Sequence, residues 1–171
     1  MCYMKLHSNY KVLLFILLFA TFLTSVSAKP VDDVKLTGFV NDYEGVLSTQ
    51  EVAELNAVMN TLYKQDVAQM SIVIVDSFDG LTKEEYALEI AHEQLGTANK
   101  DNGLLVLVGI EERAYRIEVG YGLEGTLNDA KVGRLARETL VPYFQQEQYG
   151  NGLRALTQSL YVELTGDETF E

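Results

Sequence analysis

The chain has 171 residues, with 25 acidic against 13 basic side chains and a formal net charge of −12. A surface this acidic repels phosphate backbones and anionic lipid headgroups, which excludes nucleic-acid binding and electrostatic attachment to membranes. The one cysteine, Cys2, stands at the extreme N-terminus, so the rest of the chain has no disulfide, thiolate metal site or cysteine nucleophile.

Lys5 and Lys11 flank the start of an apolar run from Val12 to Leu23, and Thr24-Ser25-Val26-Ser27-Ala28 follows. Val26 and Ala28 satisfy the small-residue rule for cleavage, so residues 1–28 are expected to be a signal peptide cut after Ala28, releasing an extracytoplasmic protein, periplasmic or secreted. The run is shorter than the about 20 apolar residues of a spanning helix, so no transmembrane span is expected in the mature chain. Kept uncut, it would act as an N-terminal anchor instead. Cys2 lies at the wrong end to take a lipid at the cut. Residues 29–171 are one domain's worth of chain: a linker over 29–37, a domain over 38–164 and a short tail over 165–171.

Residues 38–43 read as a short strand or ordered loop. Ser48 and Glu51 then form a capping box that opens a helix with Val52, Leu55, Met59 and Leu62 on one face. Met70 to Val75 is a buried strand. Thr82 and Glu85 repeat the capping signal for a second helix, with Tyr86, Ala87, Ile90 and Ala91 inward and Gly96 at its end.

The stretch from Asp101 to Asp129 organises the chain. Leu104 to Val108 is an apolar run between Gly103 and Gly109, the pattern of a strand buried on both faces. Tyr115, Ile117 and Val119 alternate with Arg116 and Glu118, the pattern of a half-buried strand. The short link between them predicts an antiparallel hairpin, which sets Asp101 and Asn102 beside Gly120, Gly122, Glu124 and Asp129. Asn128 is expected to cap a third helix that Pro142 stops, Tyr149 to Gly152 to form a turn, and Leu153, Leu156, Leu160 and Leu164 to line a last helix. The expected fold is α/β: a mixed sheet with a βαβ unit from Met70 to Val108 and a β-hairpin, covered by about four helices.

Gly120-Tyr121-Gly122-Leu123-Glu124-Gly125 matches the dinucleotide spacing. However, it follows a hairpin arm rather than opening a βαβ unit, and Glu124 sets a negative charge where a pyrophosphate would lie. The glycines are therefore expected to serve a tight or left-handed turn. The EF-hand register also fails around Asp101. Oxygen donors remain: Asp101, Asn102, Glu118, Glu124 and Asp129 could meet at one sheet edge as a site for Ca²⁺ or Mg²⁺, joined by Asp42 if the N-terminal segment folds over it. Against this, each acid alone fits a turn or cap, as Asp129 does in a first helical turn. His92 reads as a surface histidine, Arg113 and Arg116 as solvent-facing hairpin charges, and no Ser/His/Asp, H-E-x-x-H or P-loop pattern is present.

The motifs V-N-D-Y-E-G-V-L-S at 40–48, D-N-G-L-L-V-L-V at 101–108, R-I-E-V-G-Y-G-L-E at 116–124, L-N-D-A at 127–130 and P-Y-F at 142–144 together resemble the TPM domain family over about residues 38–164. The resemblance implies an α/β sandwich, placement outside the cytoplasm, calcium binding in some members and an acid phosphatase activity in the plant branch. Matched by motif, it assigns Asp42, Asp101, Glu124 and Asp129 to the family's acidic site. Leu95 stands where the family often has an aromatic, and Thr165 to Glu171 replaces the Gly/Ser-rich tail and membrane helix of many bacterial relatives. Two functions stay open: a calcium-binding accessory module that binds an envelope protein, or a metal-dependent phosphatase of phosphomonoesters.

Overall fold

The computed structural model describes residues 29–96 and 99–168; the expected signal peptide and the last residues of the tail lie outside these. Four strands form one sheet in the order β1 (Val40–Asp42), β2 (Gln69–Val75), β3 (Gly103–Gly109), β4 (Ala114–Val119). The first three run parallel and β4 runs antiparallel to β3, with Leu104 opposite Val119 and Val108 opposite Tyr115. The expected α/β class and mixed sheet hold. The chain goes further than one βαβ unit: the segment over 40–42 pairs parallel to β2, so α1 (Thr49–Lys64) makes a crossover just as α2 (Lys83–Gln94) does.

Period-two alternation divides the sheet's side chains between two layers. Met70, Ile72, Ile74, Leu104, Val106 and Val108 face Leu55, Met59 and Leu62 of α1 and the C-terminal helices. Val73, Val75, Leu105 and Leu107 face Tyr86, Ala87 and Ile90 of α2. Both capping boxes form: Ser48 and Thr82 each accept from the backbone of the glutamate three residues on, which bonds back to the cap amide at 2.8 and 2.9 Å. The segment read as a linker carries a 3₁₀ turn over Val31–Asp33 and buries Val34 fully in the α2 layer.

Two expected breaks are not breaks. Asn128 caps α3 (Asp129–Leu135) as expected, but the helix continues through a π turn at Ala136–Leu140 into α4 (Val141–Phe144), past Pro142. Proline lacks the donor, and its ring crowds the carbonyl one turn back; a π turn widens the helix directly before the ring. Tyr149 to Gly152 is the first turn of α5 (Tyr149–Thr165) rather than a loop. A side chain at Gly150 would strike the Glu51 carboxyl, and one at Gly152 would meet the Leu140 carbonyl oxygen and the Phe144 ring. These glycines let α5 pack closely against α1 and the preceding helix, and this contact outweighs glycine's poor helix propensity. No helix among the described residues is long and apolar enough to cross a membrane.

Candidate functional site

The hairpin brings the two glycine-rich ends together. Gly120 donates to the Gly103 carbonyl oxygen at 2.8 Å, and Gly122 donates to that of Asp101 at 2.9 Å. The sequence expectation that Asp101 lies beside Gly120 and Gly122 holds. The glycines serve close approach rather than left-handed backbone: Gly120 has φ −63. A Cβ at Gly120 would collide with the Asp101 carbonyl, and one at Gly122 with that of Lys100. Asp101 itself takes the left-handed conformation, φ 48, which aspartate tolerates better than most residues. A 3₁₀ turn over Tyr121–Leu123 follows, with no helix N-terminus for a pyrophosphate.

Between this edge and the second half of α2 lies an open groove of about 660 Å³, lined among others by Leu88, His92, Asp101, Glu118 and Tyr121. Leu88 is 59% and Tyr121 78% exposed, although both are large and apolar in bulk. Glu118 is half-buried and accepts from Arg116 Nε at 2.7 Å, since residues two apart share a strand face. This hydrogen bond holds the Arg116 guanidinium above its ordinary range, with the charges of Glu118, Glu84 and Asp129 adding to it. Arg116 is thus half-buried and paired. Arg113 is exposed as expected and reaches Glu147 at 2.9 Å.

The other expected ligands spread out. Asp129, in the first turn of α3, lines a second groove of about 400 Å³ with Lys83, Arg113 and Arg116. Glu124 is exposed beyond the 3₁₀ turn. Asn102 is 4% exposed; its Nδ2 reaches the Val67 carbonyl at 3.4 Å, and its Oδ1 has no partner among the described residues. Asp42 does not join the Asp101 edge. Because β1 is parallel to β2 and β3, Asp42 is in register with Ile74 and so with Val108, at the far end of the sheet. Its carboxylate accepts from the Leu47 amide at 2.8 Å and the Glu44 amide at 3.2 Å. Among the described residues, no three Asp, Glu or His side chains are grouped so as to hold a metal ion.

The far end holds a constellation the sequence reading missed. Each parallel strand ends in or is followed by acids: Asp42 at the end of β1 and Glu44 after it, Asp76 and Asp79 after β2, Glu111 and Glu112 after β3. Asp76 is 6% exposed, and its Oδ1 accepts from the Ser77 amide at 2.8 Å and the Lys29 amide at 3.2 Å. Desolvation, then the charges of Asp76 and Asp42, raise the Glu44 carboxyl above its ordinary range. The Tyr86 hydroxyl donates to the Lys29 carbonyl at 2.8 Å; burial, then Asp76 and Asp79, raise its ionisation well above the usual phenol value. Parallel strand ends followed by acids were the available signal, hidden because 38–43 was not read as a parallel strand.

A family model described as the TPM domain matches residues 40–163. The N-terminal domain of a P. gingivalis protein, solved by NMR, is 26% identical with a TM-score of 0.74; the alignment covers 82% of this chain and 94% of that one. The N-terminal domain of a Corynebacterium glutamicum protein is 20% identical with a TM-score of 0.61, covering 80% and 85%. The BA42 protein of Bizionia argentinensis is 15% identical with a TM-score of 0.55, covering 73% and 86%. The last two speak for the fold alone. No curated protein matches the chain.

Proposed function

The chain belongs to the TPM domain family, and on that premise we propose that it is an exported accessory module that binds an envelope protein through the groove between α2 and β4, with calcium or magnesium engaging the Asp101 edge. One observation carries this reading: exposed Leu88 and Tyr121 flank a groove whose polar wall is Asp101 and Glu118. A segment with a basic residue between apolar ones would cover both large side chains and meet the carboxylates. Ca²⁺ takes about six to eight oxygens. Without three grouped acids among the described residues, an ion at Asp101 would draw most of its shell from water and backbone carbonyls, which fits the weak, roughly 10⁻⁴–10⁻³ M binding of extracellular modules.

The test is a calcium titration of residues 29–171 followed by two-dimensional amide NMR, with magnesium as the control. Saturable shifts centred on 101–103 and 118–124 support the ion. Their absence at millimolar calcium removes it. Recovery of the same envelope partners with and without chelator would sink the calcium-dependent part of the proposal while leaving the groove in place.

A second reading, metal-dependent hydrolysis of phosphomonoesters, is favoured by one placement: His92, an imidazole able to donate or accept a proton, lines the same groove as Asp101 and Glu118. It ranks second because the groove's lining has no lysine or arginine to receive a phosphate dianion. Purified protein that hydrolyses aryl phosphates only with added metal, and loses this in His92→Gln, would reverse the order.

A further inference from the structure

We propose that Lys29, the first residue left by leader removal, is a built-in cation: cleavage turns its backbone nitrogen into an ammonium that closes the acidic socket at the carboxyl ends of β1, β2 and β3. The proposal rests on the reading of residues 1–28 as a leader cut after Ala28.

Residue 29 is held by three separate contacts. Its nitrogen donates to Asp76 Oδ1 at 3.2 Å, its carbonyl accepts from the Tyr86 hydroxyl at 2.8 Å, and its Nζ lies 4.4 Å from the centre of the Tyr43 ring. The acceptor is a buried carboxylate, a group that is costly to bury without a cation. Asp42, Glu44, Asp79, Glu111 and Glu112 add to the negative field there, as the raised Glu44 and Tyr86 reflect. Among the described residues, no lysine or arginine forms an ion pair with any of these six acids.

Hydrolysis of the Ala28–Lys29 amide consumes one water. Its oxygen goes to the Ala28 carbonyl carbon, giving a carboxylate, and the nitrogen of Lys29 gains protons to leave as an ammonium at neutral pH. The bond to Asp76 then changes from neutral-donor to charge-assisted on both sides, the stronger class. The uncut chain has only the weaker, neutral-donor form of this bond and so folds less stably, which suits a chain that must cross a membrane before it folds.

The experiment compares melting of three chains at pH 7: residues 29–171, whose Lys29 nitrogen is an ammonium; residues 25–171, where it is an amide; and residues 28–171, where the ammonium is displaced by one residue. The first should melt roughly 3–6 °C above the other two, and Asp76→Asn should remove that gap. Equal melting of 29–171 and 25–171 overturns the socket, as does 28–171 matching 29–171, since any terminal charge would then suffice. The truncation series stands on its own if Asp76→Asn does not fold. N-terminal sequencing of the protein exported under its own leader tests the cut separately: a start other than Lys29 overturns the maturation step, whatever the melting curves say of the socket.

Discussion

Gly122 donates to the Asp101 carbonyl oxygen at 2.9 Å, and at this approach position 122 has no room for a methyl group beside the Lys100 carbonyl. Both obstructing groups are backbone, which cannot turn aside. Gly122→Ala is therefore expected to cost about 1–3 kcal/mol in denaturant unfolding. Gly125→Ala, three residues on in open space, should be close to neutral. Equal effects at the two positions would show that the approach is not rigid.

Glu51 couples two helices. Its carboxylate accepts from the Ser48 amide and hydroxyl, and these bonds hold it below its ordinary pKa of 4.5. Ser48→Ala should cost about 1 kcal/mol. Because the folded pKa is depressed, the carboxylate's contribution is fully present above about pH 4.5 and is lost as pH falls through the lower folded value. The gap between the urea midpoints of wild type and Ser48→Ala should thus narrow in acid, leaving the bond from the Glu51 amide to the Ser48 hydroxyl.

Gly150 of α5 leaves the space that this carboxyl fills. Gly150→Ala forces Glu51 aside and breaks the cap. In the Ser48→Ala background only the backbone half of the box is left to break, and the same change should cost less, offset in part by alanine's helix propensity. A double-mutant cycle is expected to give a coupling of roughly 0.5–1 kcal/mol; strict additivity would separate the two sites.

Glu44 has the opposite sign. Its folded pKa is raised by burial and by Asp76 and Asp42, so stability falls as pH rises from the ordinary 4.5 through the raised value. In the chain with an amide at Lys29, Glu44→Gln should flatten that slope and raise stability at pH 7, by less than about 1 kcal/mol for so exposed a group. Melting from pH 4 to 7 reads both effects, and an unchanged slope would remove Glu44 from the acidic field.

Much of this was legible locally. Ser48 with Glu51 and Thr82 with Glu85 read as caps because all the atoms involved lie within one turn. The hairpin was legible for the same reason. Gly150 and Gly152 were misread as a turn because their partners, Glu51 and Phe144, lie on other helices. Pro142 was misread because a π turn has no sequence rule of its own. The end at which Asp42 lies was not legible, because three residues of β1 are too few to show period two and their pairing with β2 fixes direction only in three dimensions. The Lys29–Asp76 contact spans 47 residues, beyond any local pattern.

The pairing of β4 has one more consequence. Since Gly120 bonds to Gly103, the hydrogen-bonded positions of the antiparallel ladder include Arg116 and Glu118, and the amides of Tyr115, Ile117 and Val119 point away from β3. No backbone or side-chain acceptor among the described residues takes these three. Hydrogen exchange along this strand should therefore alternate residue by residue. The outward amides answer to solvent directly, and the inward ones exchange only when the whole sheet edge opens.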